Sequence, residues 1–370
     1  MKNIVRKLLL TLSLFGWTIT VYAGELTVAL DDPPPEGTIV LMLFNSANAF
    51  GDLRDPTLVN RELVNESNLY YLKDIPPGEY ALVVYLDENN NERIDKNFIG
   101  IPKEPIGFSN RYQPKGPPVF SRAAFKISEN EARPFQVILE LPLGKRGRLG
   151  AGLGVIARSS PYRDYNGAVS QVIPAITYRG ERLQILGPNI QLGLVGSGKL
   201  RLAASGRYRI GVYDEEDSDF LVGMEDRKDT FTAGLSLQGE LPGGVDVSAR
   251  YEQDVLDEIG GGEARLGFDK AFQFGAFRIS PEIAVNWLSA DFANHDFGVP
   301  VSDSLPNRPA YQLDSTISFE AGLGMFYEIT RDWLVVANIG VEFLEDQVTD
   351  SPIVEEDYVL KGFFAINYVF

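Results

Sequence analysis

From residue 149 to the C-terminus, apolar and polar residues alternate with a period of two. Between Lys199 and Val212, charged and small polar side chains share one face of an extended chain, and aliphatic and aromatic side chains share the other. The same alternation runs through residues 230–241, 245–252, 277–287 and 358–370, and no helical period fits these stretches. Each stretch therefore predicts a β-strand with one apolar and one polar face.

These strands are predicted to close into an antiparallel transmembrane β-barrel. A last strand as apolar as Tyr358–Phe370 would be an adhesive edge in a soluble protein, whereas a closed barrel turns its apolar face towards lipid and has no edge. The alternative is a buried last strand of a soluble sandwich, but the recurrence of the pattern upstream favours the barrel. We therefore expect outer-membrane lipid and lipopolysaccharide around it.

The connections between the strands support this topology. Residues 196–198, 242–244, 275–276 and 331–332 form tight turns, whereas residues 214–228, 256–261, 291–312 and 346–356 are longer or strongly acidic. Short periplasmic turns and long external loops are typical of outer-membrane barrels. The predicted strands are 148–158, 167–179, 181–187, 189–196, 199–213, 229–241, 244–255, 261–273, 276–290, 313–330, 332–346 and 357–370. This gives twelve strands, but 181–187 and 189–196 are shorter than the ~9–11 residues that a membrane strand needs, so ten strands stay open as the alternative.

The chain ends on an aromatic residue, Phe370, and Tyr368 occupies the third-last position. This ending resembles the signal that is read by the outer-membrane barrel assembly machinery. We therefore expect that machinery to be a partner.

The N-terminal part follows a different pattern. Residues 1–23 are predicted to be a signal peptide, because Lys2, Arg6 and Lys7 precede an apolar run, Leu8–Ile19, and a small-x-small exit at 21–23. Residues 24–142 hold most of the prolines and only short apolar runs, which predicts a small β-sandwich folded in the periplasm. Residues 143–148 are basic and glycine-rich and are predicted to be a hinge, with the barrel occupying 149–370.

Composition excludes several classes of protein. The chain has no cysteine, which excludes a disulfide, a thiol nucleophile and a lipoprotein anchor. Its formal net charge is −17, and removal of the cationic leader makes the mature chain more acidic. Such a surface repels nucleic acid, so no nucleic-acid partner is expected, and no cofactor is predicted.

The inward face of the predicted barrel is heavily charged. Its cations are Lys199, Arg201, Arg207, Arg209, Arg250, Arg265 and Arg278, and its anions are Glu240, Asp246, Glu252, Glu263, Asp269, Glu282, Glu320, Glu328 and Glu342. We prefer the interpretation that these groups pair with one another, fill the lumen and make the barrel rigid. The alternative is a narrow selective channel with a charged lumen.

A second group of polar residues lies in the predicted sandwich. Asp87, Asn89, Asn91 and Asp95 have the oxygen spacing of a calcium-binding loop. The sixth position is Glu92 rather than Gly, and the twelfth is Phe98 rather than Glu. We therefore favour an Asn-rich hairpin tip, with the calcium site as the alternative.

Catalysis is not expected. The chain has one histidine, His295, which lies in a predicted external loop between Asp291 and Asp296. A surface Asp-His site is the alternative interpretation, but a single histidine in a long loop is more often inert.

Two resemblances cover most of the chain. Residues 148–370 are similar to the MipA/OmpV family of outer-membrane barrels, through the Gly-rich segment 148–154, the P-x-x-x-Y-R segment within 172–183, the G-P step within 187–194 and the closing Phe. Residues 24–142 resemble small secreted, prealbumin-like β-sandwich domains of unknown function, through segments 75–81, 87–91 and 97–110.

The first resemblance implies an outer-membrane protein of a Gram-negative cell envelope. It also implies a link to peptidoglycan-building enzymes, since MipA is viewed as a scaffold between a lytic transglycosylase and a penicillin-binding protein. Our hypothesis is a non-enzymatic scaffold whose periplasmic sandwich docks such an enzyme, and the alternative is a narrow passive channel.

Overall fold

The computed structural model describes residues 23–165, 168–196 and 199–370. Apart from Ala23, the predicted signal peptide lies outside the described residues. The described chain folds into an N-terminal β-sandwich followed by a closed antiparallel barrel, so the predicted all-β fold class is confirmed.

The sandwich consists of two sheets and two short helices. Its elements are β1 (Gly24–Leu30), β2 (Thr38–Phe44), α1 (Ala47–Asp52), β3 (Leu58–Leu63), β4 (Leu69–Ile75), β5 (Gly78–Asp87), β6 (Ile106–Phe108), α2 (Phe120–Ala123), β7 (Phe125–Ile127) and β8 (Ala132–Val137). One sheet has the order β4-β1-β8, with β1 and β8 parallel. The other has the order β3-β2-β5-β6, and β7 pairs with β5.

The sandwich has a core on each side of its central strand β5. Leu82 and Val84 face the other sheet and pack with Leu26 and Leu41. Alternate residues of β5, such as Val83, face a second cluster beneath α1 and α2. Burial on both faces explains why β5 is apolar throughout rather than alternating.

Fourteen β-segments form the twelve strands of the barrel. They are β9 (Arg148–Ser159), β10 (Ala168–Pro174), β11 (Thr177–Arg179), β12 (Leu183–Leu186), β13 (Asn189–Val195), β14 (Leu200–Arg209), β15 (Thr230–Leu241), β16 (Val245–Asp254), β17 (Gly262–Asp269), β18 (Phe272–Phe274), β19 (Phe277–Leu288), β20 (Thr316–Glu328), β21 (Trp333–Phe343) and β22 (Tyr358–Val369). The segments β10 and β11 both pair with β9 and form one interrupted strand, and β17 and β18 both pair with β19.

Antiparallel pairing of β22 with β9 closes the barrel, and this pairing runs from Lys361 with Arg158 to Val369 with Gly150. The short segments β12 and β13 remain separate strands that pair with each other. The count is therefore twelve rather than ten.

The two ends of the barrel differ as the sequence predicts. At one end, which we name the tight-turn end, residues 180–182, 242–244, 275–276 and 329–332 connect strands. At the opposite, long-loop end, residues 210–229, 255–261, 289–315 and 344–357 connect strands and include the helices α3 (Ala290–Phe297) and α4 (Asp346–Thr349). None of the described helices is long and apolar enough to span a membrane.

The connection between sandwich and barrel differs from the predicted hinge. Strand β9 already begins at Arg148, so the last residue of the predicted hinge belongs to the barrel. Arg148 donates a hydrogen bond through Nε to the carbonyl oxygen of Pro142, and Tyr178 donates one through its hydroxyl to the carbonyl oxygen of Arg146, 3.0 Å away. The connection is a set of turns held against the barrel because both its ends are hydrogen-bonded.

Candidate functional site: the closed lumen and the docked sandwich

Side chains that point away from the barrel axis form an apolar belt. Leu153, Ile283, Phe319 and Ile339 are each more than 60% exposed. Other exposed members are Leu192, Leu200, Leu235, Leu237, Tyr251, Leu266, Ile317, Leu323, Leu360, Phe364 and Ile366. A continuous apolar surface on a closed barrel is the surface that a lipid bilayer requires.

The lumen towards the long-loop end contains a cluster of three arginines and two glutamates. Glu252 is 1% exposed, and its Oε2 forms ion pairs with the Nε atoms of Arg207 at 3.7 Å and Arg250 at 3.6 Å. Glu263 pairs with Arg207 and lies 3.9 Å from Arg209. Each charge therefore has a partner of opposite sign, as buried charges require.

A second cluster lies between β17, β19, β20, β21 and β22. Arg265 pairs with Glu282 at 2.6 Å and with Glu320 at 3.1 Å. Lys361 lies 2.8 Å from both Glu320 and Glu342. The predicted set did not contain Lys361, although the alternation of the last strand places it on the inward face.

Towards the tight-turn end, Glu240 forms ion pairs with three cationic side chains. Arg201 of the barrel lies 3.3 Å from it, and two side chains of the sandwich, Arg54 and Lys96, lie 3.5 Å and 3.8 Å away. Arg54 also lies 3.4 Å from Asp246. The anions of the barrel wall thus pair partly with cations of the sandwich, which sequence reasoning did not predict.

Further polar contacts fix the sandwich on the tight-turn end. Arg278 of β19 pairs with Asp52 of α1 at 2.6 Å. Tyr112 donates a hydrogen bond to Glu328 at 2.8 Å. Lys115 pairs with Asp332 at 2.7 Å. In these contacts the sandwich supplies both signs of charge, so its position on the barrel is specified electrostatically.

One loop of the sandwich enters the barrel mouth, and we name residues 96–102 the plug loop. The side-chain amide of Asn97 donates a hydrogen bond to the carbonyl oxygen of Gly180, 3.3 Å away. Phe98, which is buried, packs on Gly193 of β13, where an added Cβ would come within 2.7 Å of the ring. The glycine is therefore needed for the close approach of the plug loop to the barrel wall.

A cavity of about 610 Å³ remains between the sandwich and the barrel lumen. Its walls include Arg54, Lys96, Arg201, Asp269 and Arg278. The cavity lies between the plug loop and the ion pairs around Glu240. It is therefore part of the interface between the sandwich and the barrel.

The long-loop end is covered by a hydrophobic cluster formed by the loops. Its buried members are Tyr162, Tyr213, Leu221, Met224, Ala293, Phe297, Val299, Leu313, Val348, Ile353 and Val354. Asp296 of α3 reaches from this cluster into the lumen and pairs with Arg209 at 2.5 Å. His295 lies 2.9 Å from the same carboxylate. An Asp-His contact, which the alternative interpretation placed on the surface, lies in a largely buried position, and its carboxylate is bound to Arg209.

Two further groups of predicted residues, Lys199 and the C-terminal aromatic residues, lie outside these clusters. Lys199 lies exposed at the tight-turn end, just before β14. Tyr368 packs edge-on against Trp333 and Phe370, with ring centroids 5.2 Å and 5.0 Å away. The backbone amide of Phe370 donates to the carbonyl oxygen of Leu149 at 2.9 Å, which joins the last residue to the first barrel strand.

The predicted calcium loop forms the connection that leads from β5 to the plug loop. Both carboxylate oxygens of Asp87 accept backbone hydrogen bonds, from Asn91 at 3.1 Å and Glu92 at 2.9 Å. Asn89 and Asn91 donate hydrogen bonds to Asp95. These contacts are those of a well-formed hairpin tip. They are also compatible with the alternative, a calcium-binding loop, because such loops contain the same type of backbone hydrogen bond.

The apolar belt, the charged interior and the two covered ends define an outer-membrane β-barrel protein. Residues 151–370 match the family described as MltA-interacting protein MipA, and the chain belongs to this family. Residues 33–134 match a family described as an uncharacterised protein conserved in bacteria (DUF2141).

Individual relatives agree with the family match. The chain is 29% identical to outer membrane protein Omp26La of Vibrio anguillarum over 39% of this chain and 55% of that protein, so it spans about half the length of this relative. It is 28% identical to the MltA-interacting protein of Escherichia coli over 60% of this chain and 89% of that protein. A solved NanC porin aligns with 59% of this chain and 98% of that chain at 9% identity and a TM-score of 0.29.

Proposed function

We propose that the protein is a non-enzymatic scaffold of the outer membrane, in which the barrel anchors the chain and the sandwich docks an enzyme of peptidoglycan synthesis or hydrolysis. The tight-turn end then faces the periplasm, which places the sandwich on the side of the cell wall. The observation that carries this proposal is the fixed position of the sandwich, which is bound to the barrel mouth by ion pairs at Glu240 and Arg278. A rigidly anchored domain loses little conformational entropy when it presents a surface to a partner.

The name of the Escherichia coli relative, MltA-interacting protein, supports a protein partner of this kind. By the resemblance of the barrel, the partner is a lytic transglycosylase or a penicillin-binding protein. The outward apolar belt supports the accompanying proposal that the barrel itself is surrounded by lipid and lipopolysaccharide.

The surface of the sandwich includes the edge strand β3, whose backbone pairs with β2 alone among the described residues. On its other side, Asn60 donates to the carbonyl oxygen of Tyr71 at 2.7 Å, and Glu62 accepts from the backbone amide of Tyr71 at 3.4 Å. Val59, Leu63 and Tyr71 expose apolar side chains around this edge, and Leu63 is 73% exposed. None of the hydrogen bonds or ion pairs found among the described residues joins β3 to the barrel. An unpaired edge with apolar side chains can accept an extended segment of a partner by β-augmentation.

The docking proposal predicts that Leu63→Lys lowers recovery of the partner. After crosslinking in cells, the tagged full-length protein should recover a peptidoglycan-acting enzyme, and the variant should recover about tenfold less, since burial of a lysine in an apolar contact costs at least ~1.4 kcal/mol. Val301→Lys is the matched control, because Val301 is 82% exposed at the opposite end of the molecule. Recovery of no such enzyme by the unmodified chain, or equal recovery by Leu63→Lys, would contradict the proposal.

We infer that the barrel does not conduct. Ion pairs bridge facing strands inside the described barrel, the plug loop enters one end, and the hydrophobic cluster lies over the other. Purified protein in planar bilayers should therefore show no discrete conductance steps. Steps of constant size that require the intact chain would instead support the narrow-channel alternative.

A further inference from the structure

The loop between β5 and the plug loop is accompanied by a buried carboxylate from further along the chain. Glu104 is 4% exposed, and its Oε2 accepts a hydrogen bond from the backbone amide of Asp95 at 3.0 Å. Its other oxygen, Oε1, is buried and has no hydrogen-bond partner among the residues that the structure describes. A buried carboxylate oxygen without a donor is costly, and a water molecule or a cation at this position would satisfy it.

Glu104 supplies what the sequence motif lacks. A calcium loop of this spacing ends on a carboxylate at its twelfth position, where this chain has Phe98. Phe98 instead packs on the barrel wall, and the carboxylate comes from Glu104. The sixth position, where Gly is usual, is Glu92 with a φ of +63°, so the backbone adopts the left-handed turn despite the side chain.

The cluster is short of positive charge. Asp87 is 1% exposed, and the ion pair made by Asp95 is with Arg93, a largely exposed side chain 3.6 Å away. A divalent cation would compensate these charges directly.

Two amide groups currently occupy the oxygens of Asp95. The side-chain nitrogens of Asn89 and Asn91 lie 2.7 Å and 3.1 Å from them. In this arrangement no group of three acidic or histidine side chains among the described residues could hold a metal ion. A half-turn of each amide exchanges its nitrogen and oxygen, which would direct two further oxygens at the same centre.

We propose that Asp87, Asn89, Asn91, Asp95 and Glu104 form a Ca²⁺-binding site. Three carboxylates and two amide oxygens, with a backbone carbonyl or water, match the six to eight oxygen ligands that Ca²⁺ takes in flexible loops. The smaller Mg²⁺ demands a stricter octahedron and keeps its water, so it should bind more weakly.

The site lies at the base of the plug loop. The backbone amide of Lys103 donates to the carbonyl oxygen of Asp95 at 2.8 Å, so Asp95 and Glu104 hold the two ends of the loop together. A bound ion would tie these ends more firmly and stabilise the insertion of Phe98 into the barrel mouth. Ca²⁺ thereby strengthens the attachment of the sandwich to the barrel.

The test is calorimetric titration of CaCl₂ into the full-length protein, refolded in detergent without lipopolysaccharide and freed of divalent ions. The unmodified chain should bind one Ca²⁺, and Glu104→Gln should weaken binding at least tenfold. Glu88→Gln is the matched control, since it removes the same charge from an exposed neighbour in the same loop and should leave the affinity unchanged.

Two further measurements keep the test decisive if Glu104→Gln folds poorly. Asn89→Ala, at an exposed position, should weaken Ca²⁺ binding severalfold without affecting the fold. Trypsin cleavage within the plug loop of the unmodified chain should be slower in Ca²⁺ than in chelator. Absence of binding up to about 10 mM Ca²⁺, beyond the weakest range known for protein sites, or equal affinity in Glu104→Gln, would overturn the proposal.

Discussion

Replacing Asp296 by asparagine is expected to destabilise the long-loop end of the barrel by about 3–5 kcal/mol, because it leaves the guanidinium of Arg209 without its closest anion in a buried position. Asp296 is 2% exposed and lies 2.5 Å from Arg209, whereas the second carboxylate near Arg209, that of Glu263, is 3.9 Å away. The urea midpoint of the folded protein, followed by the fluorescence of Trp287 near this end of β19, should fall accordingly.

Two controls separate the loss of the pair from a general effect on the helix. Asp291→Asn removes the same charge from an exposed position of α3 and should change stability by less than ~1 kcal/mol. The double variant Arg209→Met, Asp296→Leu removes both charges and should recover much of the loss, since apolar replacement of a buried pair is often neutral. An unchanged midpoint in Asp296→Asn would show that the pair does not stabilise the loops.

The same pair predicts a dependence on pH. Burial raises the pKa of Asp296, but the charge of Arg209 and the hydrogen bond with His295 outweigh it and hold the pKa at about 2. Because the folded-state pKa lies below the ordinary value of ~3.9, the stabilisation is complete above that value and is lost as the pH falls towards 2. Between about pH 5 and pH 2, Asp296→Asn should therefore lose less stability than the unmodified chain.

Replacing Arg278 by glutamate is expected to release the sandwich from the barrel mouth. The change places a second carboxylate against Asp52, where the arginine now lies 2.6 Å away and both side chains are 16% exposed. Loss of a largely buried pair costs at least ~3 kcal/mol, which increases the population of the detached state by about a hundredfold. Limited proteolysis in the connection at residues 143–147 should become correspondingly faster while the barrel stays folded.

Charge exchange provides the control for this prediction. Asp52→Arg in the Arg278→Glu background restores an ion pair of opposite orientation and should slow proteolysis again. Equal proteolysis of Arg278→Glu and the unmodified chain would show that the remaining contacts, such as those of Lys115 and Tyr112, suffice to hold the sandwich.

Local pattern was sufficient to predict the strands of the barrel. A strand alternates its side chains between two faces, so the inward position of Arg201, Arg207 and Arg209 follows from their spacing alone. The tight turns at residues 242–244 and 275–276 were equally predictable, because such turns favour a restricted set of residues. Lys361 could have been added to the inward set by the same reasoning.

Pairing of the charges was not predictable in this way. Which glutamate meets which arginine depends on the stagger of the strands around the barrel, and the strand pattern of each segment is compatible with several registers. Asp296 shows the limit most clearly, since the sequence places it in an external loop and offers only the neighbouring His295 as a partner. Its partner, Arg209, lies 87 residues earlier in the chain.

The sequence by itself determined the class of this protein: an acidic, cysteine-free chain whose last part alternates between lipid and a polar interior, preceded by a small sandwich. Only the tertiary structure decided that the sandwich is fixed on the barrel mouth and that the buried Glu104 carboxylate accepts a hydrogen bond from the backbone amide of Asp95. The physical reason is the distance along the chain over which each interaction acts. Alternation and turn chemistry act between neighbouring residues, whereas the contacts of Asp52 with Arg278 and of Arg54 with Glu240 join distant parts of the chain and exist only once both domains have folded.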